Sequence, residues 1–127
     1  MEDKPEKPQW KVTRVEDFVN AYANNVGFEA TTWDLKMNFG QIDQSEGIVN
    51  VEQHTAITMA WTEAKVFAFL LLGSIMGFEV QHGRISIPAE GRPNALPDLS
   101  PEEAAIPKVV ELHTEMQKLY KQIIADV

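Results

Sequence analysis

The stretch TTWDLKMNFGQID, Thr31 to Asp43, decides how the chain is read. Apolar Trp33, Leu35, Met37 and Phe39 alternate with polar Asp34, Lys36 and Asn38. A period of two is the mark of a strand with one face buried and the other wet. The flanking segments extend the pattern. AYANNVGFEA, Ala21 to Ala30, sets Tyr22, Val26 and Phe28 on one face. IVNVEQHTAITM, Ile48 to Met59, sets Val49, Val51, Thr55, Ile57 and Met59 on one face, and Asn50, Glu52, His54 and Thr58 on the other. Between them GQIDQSEG reads as a loop bounded by Gly40 and Gly47. Arg84 to Ile87, stopped by Pro88, adds a possible fourth short strand. The expectation is an α+β fold built on an antiparallel meander of three to four strands.

A greasy sheet face needs a cover, and the next segment is the candidate. TEAKVFAFLLLGSIMGFEVQHG runs from Thr62, a good N-cap, to Gly83, a good C′ residue. Between Lys65 and Glu79 only Ser74 is polar. That run is shorter than the roughly 20 apolar residues a membrane span requires. A helix apolar nearly all round is buried on more than one side. One side suits the sheet; the other calls for a second cover. Gly73 and Gly77 lie four residues apart on one helix face, where each costs about 1 kcal/mol relative to alanine. They either make room for a bulky core residue such as Trp33 or allow a second helix to approach closely.

At the amino end, residues 1–12 are charged and proline-bearing and read as a disordered tail, and Thr13 with Glu16 suggests a capping box opening a short helix to Val19. The core domain then spans 13–88. Residues 89–99 carry prolines and a glycine and read as an extended linker. A C-terminal helix occupies 100–127, with Ser100 as N-cap, Pro101 at N1 and Glu103 at N3, and a kink or break at Pro107. Val109, Leu112, Met116, Leu119 and Ile123 form a stripe spaced three and four residues apart, suited to packing on the body or on a partner.

Composition narrows the functions. The 127 residues include no cysteine, which excludes disulfides, thiolate metal sites and thiol nucleophiles. The net charge is -8 and no block of the chain is basic, which argues against nucleic acid and anionic membrane surfaces as partners. The opening MEDKPEKPQW has no apolar signal-peptide core, so a cytoplasmic location is expected.

YANNV, WDLKMNFGQID, VEQHTAITMAWTEAK and GFEVQHGRISIP, in this order, resemble a family of small bacterial proteins of unknown function. The resemblance covers Tyr22 to Pro88. The chain departs from it at Trp61, where such proteins usually carry proline, and at the apolar GSIMG inside the helix. The resemblance implies no activity and transfers no catalytic residue.

Chemistry is therefore sought residue by residue. Glu79 and His82 are half of a carboxylate-bridged di-metal motif, but the chain offers no second half. Glu52 and His54, one residue apart, are the one acid–base candidate, and more often such a pair is a solvated neighbourhood. Asn24 and Asn38 are amides on adjacent strands that suit a ligand or a strand edge, though asparagines more often cap turns. There is no phosphate loop and no nucleophile-elbow, kinase or zincin motif. No cofactor or metal is expected.

The leading reading is a non-enzymatic, self-associating interaction or scaffold protein, most simply a dimer, with another protein as a further possible partner. Its candidate interface is Phe69, Gly73, Met76, Gly77, Leu112, Met116 and Leu119. Two alternatives stand beside it. One is a single-stranded nucleic-acid binder stacking bases on Tyr22, Trp33 and Phe39. The other is an enzyme using Glu52 and His54.

Overall fold

The computed structural model describes residues 7–45 and 47–125. Strands β1 (Asn25–Ala30), β2 (Asp34–Ser45) and β3 (Ile48–Ala60) form one antiparallel sheet in the order β1-β2-β3. Helix α1 (Trp61–His82) follows β3 directly. A 3-10 turn at Ala89–Gly91 precedes two further helices, α2 (Pro101–Ala104) and α3 (Pro107–Ile123). The α+β class, the meander and the C-terminal helix are as the sequence led us to expect. The sheet has three strands among the described residues, and residues 84–88 pair with none of them. Two compact units divide the chain, residues 1–70 and 71–127.

In the first unit, paired residues share a sheet face. Val26 faces Phe39, Phe28 faces Met37 and Ala30 faces Leu35. Across β2, Leu35 faces Met59, Met37 faces Ile57 and Phe39 faces Thr55. These residues make the apolar face that the alternation predicted. Met37, at its centre, is 3% exposed. Glu29, Lys36, Asn38, Ala56 and Thr58 lie on the other face.

Three local readings are corrected. Trp33 belongs to the β1–β2 turn and is 83% exposed; β2 begins one residue later. The turn is shaped by Thr31, whose Oγ1 accepts the backbone N–H of Trp33 and of Asp34 at 3.1 and 3.0 Å. This side-chain turn wins over the alternation there, because a threonine oxygen satisfies two amides at once. Second, Gln41 to Ser45 continue the ladder instead of forming a loop, with Ile42 opposite Val51. Gly47, at φ 76°, supplies the left-handed conformation that a tight hairpin connection requires. Third, residues 13–19 form a single turn, closed by Phe18 N–H to the Val15 carbonyl at 3.1 Å, not a helix. Seven residues with no packing surface do not offset the cost of helix nucleation. Residues 1–6 of the expected tail lie outside the described residues.

The β2–β3 ladder also carries an irregularity. Phe39 pairs with Thr55 but Gly40 pairs with Gln53, so β3 takes two steps where β2 takes one. This bulge at His54 reverses the facing of everything beyond it. Val49 and Val51 therefore do not share a face with Ile57 and Met59. Gly40 makes the bulge possible: a Cβ there would meet the Glu52 carbonyl oxygen and lie 2.9 Å from Gln53 Cα.

In the second unit, Gly83 ends α1 at φ 91°, its N–H donating to the Glu79 carbonyl at 2.8 Å. Ser100 and Glu103 form the capping box of α2 in both directions. The break at Pro107 is real, and α3 opens with that proline in its first turn. The proline-rich segment 89–99 is held by α3. Tyr120 Oη donates to the Pro93 carbonyl and His113 Nε2 to the Pro97 carbonyl, each at 2.9 Å. In a stretch poor in backbone donors, side chains of α3 thus satisfy two of the carbonyls.

Candidate functional site

The four candidate ligand residues do not converge. Asn24 sits just before β1 and extends its pairing with β2 by two bonds. Its N–H donates to the Gly40 carbonyl at 3.1 Å, and its Oδ1 accepts the Ile42 N–H at 2.7 Å. Asn38 is buried and donates through Nδ2 to Glu29 Oε2 at 2.9 Å. The same oxygen lies 3.5 Å from Lys36 Nζ. The Asn38 bond, and then Lys36, hold the Glu29 carboxyl below its ordinary range.

His54 is occupied by structure. Its Nε2 is 2.9 Å from the Tyr22 carbonyl and its Nδ1 is 2.8 Å from Thr55 Oγ1. A carbonyl only accepts, so Nε2 carries the proton. The bulge turns Glu52, opposite Gln41, to the face away from Gly40 and its partners. The two ring contacts of His54 are thus to Tyr22 and Thr55, not to Glu52. Asn24 and Glu52 do line one open hollow of about 520 Å³ with Gln41, Ile42, Asp43, Asn50 and Val51.

The half-motif Glu79–His82 is spent locally as well. Glu79 Oε2 accepts the Ile85 N–H at 2.8 Å, and the His82 ring lies 4.6 Å from that of Phe78. No group of three or more His, Asp and Glu side chains suited to a metal stands together among the described residues. Tyr22 precedes β1, Trp33 lies in a turn and Phe39 lies on the sheet face.

What does gather is apolar surface. Among the described residues only Met37 and Ala64 are buried hydrophobics. On the sheet face Val26, Ile57 and Phe28 stay exposed, the last at 61%. On α1, Val66, Leu70, Leu71, Met76 and Phe78 stay exposed, and Phe69 is 75% exposed. These positions encircle the helix. Gly73 and Gly77 open onto empty space, with nothing within 4 Å of a Cβ built at either. On α3, Leu112, Met116, Leu119 and Ile123 stay exposed. Met76 and Leu119 line an apolar hollow of about 660 Å³ with Leu72, Ile75, Val80 and Ile85. Phe69, Gly73, Gly77, Leu112 and Met116 lie outside that hollow. The length of the helical apolar surface was legible in the sequence; that the sheet face is also open was not.

A family model described as a protein of unknown function (DUF3467) matches residues 1–87, and the chain belongs to that family. The match extends the resemblance from Tyr22 back to the first residue. No curated protein and no solved structure matches the chain. No helix among the described residues is long and apolar enough to cross a membrane.

Proposed function

We propose that this protein is a non-enzymatic interaction or scaffold module whose folded state is a homo-oligomer, most simply a two-fold dimer, in the cytoplasm. One observation carries the reading. A chain with 44% hydrophobic residues buries two of its described apolar side chains and leaves Val26, Phe28 and Ile57 on the sheet face and most of the apolar residues of α1 exposed. Soluble chains do not leave contiguous apolar surface on this scale without a partner for it. In a two-fold assembly the same patch from each subunit meets its counterpart, so one chain supplies everything the interface needs. The notch at Gly73 and Gly77 is the crossing point for two α1 helices, because the absent side chains let backbones approach.

The test is molar mass by light scattering over a dilution series, on the wild type and on Gly73→Leu. In an isolated helix leucine is better than glycine by nearly 1 kcal/mol. At a helix crossing it forces the backbones apart. The expected result is a multiple of 14.3 kDa for the wild type and a weaker oligomer for Gly73→Leu. A monomer mass at every concentration overturns the reading.

A further inference from the structure

We infer that the apolar sheet face is covered by helix α1 of a second copy of the chain, the two copies exchanging their helices. The inference rests on the self-association proposed above and names what covers what.

The junction between β3 and α1 carries it. Ala60 still pairs with Asp34 in the sheet, and Trp61 is already the first residue of the helix. Folding a helix back across its own sheet takes a connection of several residues, and here there are none. The junction is also held. Trp61 Nε1 donates to the Thr31 carbonyl at 2.9 Å, which ties the helix start to the β1–β2 turn at the same end of the sheet. The first unit contains the sheet and the first ten residues of α1. Within it Val26, Phe28 and Ile57 on the sheet are exposed, and so are Val66, Phe69 and Leu70 on the helix. Each of these surfaces is what the other lacks, and the connectivity keeps them from meeting in one chain.

A second copy resolves this without further invention. It brings one uncovered sheet face and one uncovered helix, in equal number. From Val66 to Phe78 the helix has no charged residue, so nothing in it opposes a wholly apolar seat. Exchange of an identical element is a low-cost route to a dimer when a connection is too short to close in one chain. The helix is apolar all round and therefore has two sides to cover. The partner's sheet takes one, and the partner's α1, crossing at Gly73 and Gly77, takes the other.

The absence of cysteine makes the test direct. One batch of chain carries Ile57→Cys on the sheet face. Three others carry Phe69→Cys, Met76→Cys or Val80→Cys on the helix. The sheet variant and each helix variant are mixed, unfolded, refolded together and treated with a flexible bis-maleimide. Exchange predicts a covalent heterodimer linking the sheet cysteine of one chain to a helix cysteine of the other, identified by peptide mass spectrometry. Thr58→Cys, on the opposite sheet face, should give at least tenfold less of it. Phe28→Cys replaces Ile57→Cys if that variant fails to fold. An oligomeric mass with only helix–helix products, or with no sheet–helix product, overturns the exchange and leaves the oligomer standing. A monomeric mass for the unmodified chain overturns both.

Discussion

Trp61 Nε1 donates to the main-chain oxygen of Thr31 at 2.9 Å, joining the first residue of α1 to the turn between β1 and β2. The bond spans 30 residues of sequence and sets the direction in which the helix leaves the sheet. Trp61→Phe keeps most of the ring and removes the donor. It should cost about 0.5–1.5 kcal/mol, the net worth of one hydrogen bond. Denaturant unfolding at fixed protein concentration measures it. An unchanged midpoint would show that the junction is held by packing alone.

Gly40 is the residue the β3 bulge depends on. An alanine Cβ there would press on the Glu52 carbonyl oxygen, which is main chain and has no rotamer to escape into. Gly40→Ala should destabilise by about 1–3 kcal/mol, the range for overpacked sites. Gly27→Ala, in β1 of the same sheet and meeting only Gln53 Nε2 at an ordinary 3.7 Å, is its control for the glycine-to-alanine change itself. Equal midpoints for Gly40→Ala and wild type would contradict the close approach.

Met37 lies at the centre of the apolar sheet face, between Phe28 on β1 and Ile57 on β3. It is the most buried apolar side chain described. Met37→Ala should cost about 2–5 kcal/mol. If the sheet face is sealed by another copy, the loss should also lower the mass seen at high dilution. Loss of less than 1 kcal/mol would place the core elsewhere.

Glu29 titrates below its ordinary value of 4.5, first through the Asn38 hydrogen bond and then through Lys36. Between the lowered folded value and the ordinary one, the unfolded chain binds more protons than the folded chain. The stabilisation is therefore complete above the ordinary carboxylate range and is lost as pH falls through the folded value. Carboxyl-carbon NMR should place the Glu29 midpoint below 4.5 and move it upward both in Asn38→Ala and in Lys36→Met. A midpoint unmoved by Asn38→Ala would refute the assigned cause.

Much of this architecture was legible before any coordinates. Leu35 to Phe39 announce a half-buried strand, because alternation maps directly onto the two faces of a pleated chain. Val66 to Phe78 announce a helix that must be covered on more than one side, and Ser100 with Glu103 announces a helix start by its reciprocal bonds. What stayed hidden depends on neighbours remote in sequence. Trp33 looked like a strand residue until Thr31 bonded the amides beyond it. Val51 looked like a partner of Ile57 until the extra step at His54 turned the ladder over. Local patterning determines which residues prefer to be buried. Register, bulges and the loop-free passage from Ala60 to Trp61 decide where burial is available, because they set which surfaces one chain can bring together and which it leaves for another.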